Sequence, residues 1–206
     1  MRVQTPSLQP LAPSPFLRAA LAVYYYLLLF APKEVRNTAN KEGEARDYGF
    51  LLEKAKDYGE IWDIVRETTR RLLGQHRASM MLFLDDLPLN IGAYHPLGTN
   101  NLVLNRALVN IVEAATNSRK LVNSFIYILL LHEYLHALGH IAEEDVRPMV
   151  YEISKKSFGE NSLVSRLADK GPWELLKGVP LGAVRAPRRV MEIVKDFEKT
   201  NQKYIS

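Results

Sequence analysis

Three of the five histidines in this 206-residue chain fall in one short stretch, "LLLHEYLHALGH", residues 129–140, with a glutamate directly after the first. His132 and His136 are four residues apart, so on an α-helix they project about 40° from one another and one turn apart along the axis, and their imidazole nitrogens can meet at one ion. Glu133 stands about 100° round from His132. Its carboxylate is badly placed to ligate the same ion but well placed to take a proton from a water held there. The spacing H-E-x-x-H is therefore two ligands and a base beside an open coordination position.

A blander reading competes with this one. His132 and His136 would be core histidines hydrogen-bonded to their neighbours, with Glu133 on a solvent face. The apolar run "NSFIYILLL" just before the motif argues against it, because a helix that apolar lies deep and an unpaired imidazole there is costly. The chain has no cysteine, which excludes a thiolate zinc site, a cysteine nucleophile and a disulfide framework. Any metal must be held by His, Glu or Asp, and a cysteine-free chain fits a cytoplasmic location.

With these residues the segment resembles the active-site helix of the zinc-dependent metallopeptidases known as zincins. The metzincin pattern H-E-x-x-H-x-x-G-x-x-H is matched through Gly139, but Ala142 stands where its third histidine belongs. His140 is an alternative third ligand, though on a straight helix it would sit about 12 Å along the axis from His132, so Gly139 would have to bend the chain. The gluzincin pattern takes the third ligand from a following helix. The string "EEDVRPMVYEI" after Gly139 is loosely similar to the glutamate-bearing helix of ImmA/IrrE-type metallopeptidases, and the resemblance implies Glu143 as third ligand with Glu144 as the next candidate. Glu143, Glu144 and Asp145 also read simply as an acidic first turn that complements the helix dipole. The resemblance covers about thirty residues, and only H-E-x-x-H in it is specific.

That resemblance implies one bound Zn2+, a peptide or protein substrate, and hydrolysis of a peptide bond with Glu133 as general base. A His/His/Glu set also suits iron or manganese. An oxyanion donor is expected from Tyr94, His95, Arg147 or Tyr151. The strand before the active-site helix of zincins often pairs with substrate, which makes "TNNLVLN", residues 99–105, the candidate here.

The rest of the chain must position these groups. Residues 1–15 are proline-rich and read as an extended arm, followed by a single domain over 16–206. Its first part, 16–78, reads as helical, with an apolar helix near 16–32 and one long amphipathic helix from about Tyr48 to Gly74. The charge-free run 19–31 is shorter than the roughly 20 residues a membrane span needs, which favours a core helix over a membrane-associated one. Between 79 and 105 the grammar changes to short apolar runs broken by Pro88, Gly92, Pro96 and Gly98, predicting two or three antiparallel strands at Met80–Leu84, Asn90–Tyr94 and Leu102–Leu104. The active-site helix follows at about 118–139, and residues 142–206 read as helical, including "APRRVMEIVKDFEKTNQ". The expected fold is α+β: a helix-rich, zincin-like domain with a small antiparallel sheet preceding the H-E-x-x-H helix.

Two other functions fit parts of the sequence. One is a zincin-fold metal-binding regulatory or interaction protein without general protease activity, which would not need Glu133. The other is a nucleic-acid-associated protein using a basic C-terminal helix, "VRAPRRVMEIVKDFEK". Its interleaved acidic residues and the mild excess of 27 Lys+Arg over 23 Asp+Glu favour an ordinary solvated face instead.

Overall fold

Asp57 and Gly74 bracket a helix by opposite means. The Asp57 carboxylate accepts the Glu60 N–H at 2.8 Å, and Gly74 closes the other end at φ 67°, a left-handed conformation that glycine adopts without strain. In the computed structural model, which describes residues 46–179 and 189–198, this helix is α2, Tyr58–Leu73. It is preceded by α1, Tyr48–Lys54. The long helix expected from about Tyr48 is thus two, and the break has a cause: the buried Asn123 amide takes the Leu52 and Ala55 carbonyls at 2.8 and 2.9 Å, satisfying acceptors that a continuous helix would have used itself.

The remaining elements are β1, Met81–Asp85; β2, Ala93–Tyr94; β3, Asn101–Asn105; α3, Arg106–Thr116; α4, Arg119–Ala137; α5, Glu143–Phe158; α6, Leu163–Lys170; a 3-10 turn at Pro172–Leu176; and β4, Glu192–Ile193. The architecture is mixed α+β. The chain divides into two compact units, Met1–Arg46 and Asp47–Ser206, and apart from Arg46 the described residues belong to the second. The proline-rich arm and the apolar segment 16–32 lie outside the described residues. No helix among the described residues is long and apolar enough to cross a membrane.

Helix α4 is the centre of the fold. It carries the motif and is buried on nearly every side, and α1, α2, α3, α5 and α6 pack around it. Trp62, fully buried in α2, meets Tyr134 of α4 edge-on at 4.7 Å, and Tyr127 of α4 hydrogen-bonds Thr68 of α2 at 2.9 Å. The motif is therefore built on a rigid element.

The sheet differs from the antiparallel one expected. It is a mixed sheet in the order β2-β3-β1-β4, with β1 and β3 parallel and in register from Met81↔Asn101 to Asp85↔Asn105. Residues 86–100 give the chain the length a parallel return requires, and they carry β2 round to the far side of β3. The fourth strand comes from the C-terminal segment read as helix. Tertiary partners override that helical pattern: Val194 N–H donates to Leu82 O at 2.9 Å, Glu198 accepts the Met80 N–H at 2.6 Å, and Phe197 stacks on Trp62 at 4.8 Å. The β-branched Val190, Ile193 and Val194 were the local signal for a strand.

This strap is fastened by a buried ion pair. Arg106 grips Asp86 with two hydrogen bonds of 3.0 and 3.1 Å, and the Arg189 N–H adds a third at 2.8 Å. The Arg106 guanidinium, first, and then Arg189 hold the Asp86 carboxyl well below the usual carboxylate range, against the opposing effect of burial. A depressed carboxyl stabilises the fold fully above its unfolded pKa of about 3.9 and loses that contribution as pH falls towards the folded value. Asp86→Ala leaves the buried Arg106 guanidinium only Glu192 at 3.5 Å and the Val190 carbonyl at 3.2 Å, so we expect a loss of about 3 kcal/mol at neutral pH, read by urea unfolding, and a shallower decline of stability below pH 4 than in the wild type.

Candidate metal centre

Helix α4 ends so as to bring its own last turn and the next helix together. Gly139, at φ 103°, donates to His136 O at 3.0 Å while His140 N–H donates to Leu135 O at 3.1 Å, the pair of bonds that closes a helix through a left-handed residue. The reversal places the His140 carbonyl 2.7 Å from His136 Nδ1 and lets α5 begin at Glu143. Glu143 thereby lands opposite the two histidines.

The three donor atoms form a nearly equilateral triangle. His132 Nε2 and His136 Nε2 are 3.2 Å apart, and Glu143 Oε1 lies 3.3 Å from the first and 3.1 Å from the second. Two ligands bonded at about 2.0 Å at a tetrahedral angle stand about 3.3 Å apart, so the edges match a zinc tetrahedron. Among the described residues this is the one group of three such side chains whose donor atoms converge.

Proton bookkeeping points the same way. A carbonyl only accepts, so His136 Nδ1 carries the proton in the bond to His140 O, and in the neutral ring Nε2 is then a bare acceptor facing the triangle. Desolvation raises the Glu143 carboxyl, but the two imidazoles outweigh it and hold it below the usual range, so it too is an acceptor. Burial lowers His132, against the pull of Glu143, which favours its neutral form. One ring proton on His132 can serve one edge of the triangle, whereas a divalent cation serves all three donors. The residues present fit a zinc ion.

No family model, curated protein or solved structure matches this chain.

Glu133 sits beside the triangle and outside it. It is 8% exposed, and burial pushes its carboxyl up to about 7, with the pull of His136 and the His95 N–H opposing and the charge of Glu143 adding. A carboxyl poised there can both take and return a proton near neutrality. His132, Glu133 and Glu143 line an open cleft of about 720 Å3. It is also lined by the segment Asn90–Ala93 that leads into β2, and by Arg147, Tyr151 and the stretch Ala168–Trp173.

The remaining expected residues are distributed as follows. His140 is engaged elsewhere, its Nε2 2.9 Å from Gln75 Oε1, and it meets the site through its carbonyl. Glu144 lies in the exposed first turn of α5 outside the triangle. His95 donates from Nδ1 to Asn101 O at 2.9 Å, and Tyr94 is on β2, neither lining the cleft. Arg147 and Tyr151 do line it, four residues apart on one face of α5. Arg147 Nε donates to Glu143 Oε2 at 3.4 Å, and the Tyr151 hydroxyl makes no hydrogen bond among the described residues.

One expectation is corrected by topology. Residues 99–105 are not a free edge, because β3 is an inner strand, paired with β1 along Asn101–Asn105 and with β2 at Val103 and Leu104. Among the described residues the unpaired edge nearest the site is β2. The sequence reading also missed Gly92, Ala168 and Trp173; the Gly171-Pro172-Trp173 turn was the only local sign of the last two.

Proposed function

We propose that this protein is a zinc-dependent metallopeptidase of zincin type, with His132, His136 and Glu143 as ligands and Glu133 as general base. The observation that carries the reading is the 3.1–3.3 Å donor triangle, of which His132 and Glu143 line an open cleft together with the buried Glu133. Zinc, when bound, polarises the scissile carbonyl and makes water a nucleophile at neutral pH. Glu133 takes the proton from that water and passes it to the leaving amine. Tyr151, with a free hydroxyl on the cleft wall, is the better placed donor to the developing oxyanion.

The substrate binds as an extended strand along β2. Asn105 N–H donates to Gly92 O, so Gly92 and Asn105 form a hydrogen-bonded pair. The next pair, Ala93↔Leu104, is then the kind whose backbone groups point away from the partner strand, and the Ala93 N–H and C=O face the open edge. Ala93→Pro removes that N–H without touching the β3 ladder. It should keep its metal and lose roughly tenfold in kcat/KM, the worth of about one hydrogen bond.

The amphipathic helix on which a nucleic-acid role would rest is not formed over residues 189–198, where the chain makes β4. The first test is elemental analysis of purified protein together with cleavage of a randomised peptide library. About one zinc per chain and chelator-sensitive cleavage support the reading; a protein that takes up no divalent metal overturns it.

A further inference from the structure

The segment entering β2 lies against the helix that carries His132 and Glu133 through a contact that any side chain would have to displace. A Cβ added to Gly92 would lie 2.6 Å from Leu129 Cδ2 and 3.3 Å from Cδ1. Such a distance is well inside van der Waals contact, so Gly92 rests directly on the Leu129 side chain of α4. Gly92 is not in the left-handed region, so what demands glycine here is space and not backbone conformation.

The segment is gripped from its other side as well. Asn105 is fully buried, and its Nδ2 donates to the carbonyls of Leu87, Pro88 and Ile91 at 3.2, 3.1 and 2.7 Å. Its backbone N–H takes the Gly92 carbonyl at 2.9 Å. The loop leading to β2 is thus anchored on β3 and pressed on Leu129.

Leu129 stands three and four residues before His132 and Glu133, on the same side of α4. Ala93, with its free backbone groups, directly follows Gly92. We propose that Gly92 is a positioning residue: its bare contact with Leu129 sets the distance between the substrate-binding edge and the helix that carries His132 and Glu133. Its catalytic meaning rests on the peptidase reading; the contact itself does not. The atoms a Cβ would meet are the end of the Leu129 side chain, so a side chain at position 92 either turns Leu129 or lifts Ala93. Leu129 is packed in the core, which resists the turn, and the lift carries a bound peptide's carbonyl off the reacting position. Misplacement by about 1 Å suffices to slow a reaction roughly a hundredfold.

Because the constraint is spatial, shortening Leu129 should relieve it. The test compares wild type, Gly92→Ala, Leu129→Ala and the double variant Gly92→Ala/Leu129→Ala. Three quantities are read: zinc content, steady-state kinetics on a peptide chosen from the library that the wild type cuts, and amide exchange of Asn105, whose N–H is bonded to Gly92. Gly92→Ala should keep about one zinc, lose about a hundredfold in kcat with KM little changed, and exchange the Asn105 amide faster. The double variant should regain both the slow exchange and most of kcat relative to Leu129→Ala alone. Wild-type kinetics in Gly92→Ala, or a folded double variant that recovers neither quantity, overturns the proposal. Should Gly92→Ala fail to fold, a folded double variant with protected Asn105 supports the spacing and one with exposed Asn105 refutes it. If the wild type cuts no peptide, the peptidase reading fails, while the exchange pattern still decides the contact.

Discussion

Glu133→Gln should abolish peptide cleavage, by about a thousandfold in kcat, while the protein still binds about one zinc with unchanged affinity. The carboxylate lies outside the donor triangle, so replacing it by an isosteric amide removes no ligand. What is lost is the ability to accept a proton, and general-base catalysis of this kind is worth roughly 10²–10⁴. The amide also suits the site sterically and electrostatically: the glutamate is buried, its carboxyl is pushed up to about 7 mainly by that burial, and a neutral side chain is cheaper there than a charged one. The variant should therefore be no less stable than the wild type in thermal unfolding. Measured together, zinc stoichiometry, melting temperature and kcat separate a base from a ligand and from a core residue. If the variant loses its metal, Glu133 is a ligand and the geometry has been misassigned. If it cuts as fast as wild type, Glu133 is a structural glutamate, and a regulatory metal protein becomes the better reading.

The convergence of His132, His136 and Glu143 was legible because the three residues are close in sequence. His132 and His136 are one helical turn apart, and the reversal at Gly139 leaves Glu143 nowhere to go but back beside them, so 12 consecutive residues contain all three donors. The choice between Glu143, Glu144 and His140 was not legible. It depends on the rotation of α5 about its axis and on Gln75, which engages His140 from a loop 65 residues earlier in the chain. The sheet was misread for a related reason. Strand pattern reports which segments are extended but not which neighbours they take, and the parallel β1/β3 pair and the β4 strap are fixed by contacts such as Asp86 with Arg189 that span 103 residues. That error put the unpaired strand edge at 99–105, whereas among the described residues it lies on β2. The break between α1 and α2 is similarly remote, resting on Asn123 in another helix.

His136→Ala should lower zinc affinity by on the order of a thousandfold, and Glu143→Gln should lower it by a comparable or smaller factor, whereas Glu144→Gln and His140→Ala should leave it within a few-fold of wild type. The asymmetry follows from which atoms converge. His136 contributes Nε2 to the triangle and uses its other nitrogen to fix its orientation against the His140 carbonyl, so its loss removes a ligand whose ring was already set. His140→Ala keeps that carbonyl, because the bond is to the backbone, and removes only the imidazole that meets Gln75. Competition with a chelator of known affinity gives the four constants directly. Thermal unfolding with and without added zinc gives a second reading, since a ligand that binds only the folded chain raises stability in proportion to the logarithm of its excess over Kd. Equal losses in Glu144→Gln and Glu143→Gln would mean that the acidic turn acts as a diffuse field and no single carboxylate ligates. A loss in His140→Ala as large as in His136→Ala would place the third ligand on the turn itself. Retention of affinity in both, with loss in His136→Ala and Glu143→Gln, requires the ion to sit where Nε2, Nε2 and Oε1 meet, because no other arrangement of these four side chains makes two of them indispensable and two irrelevant.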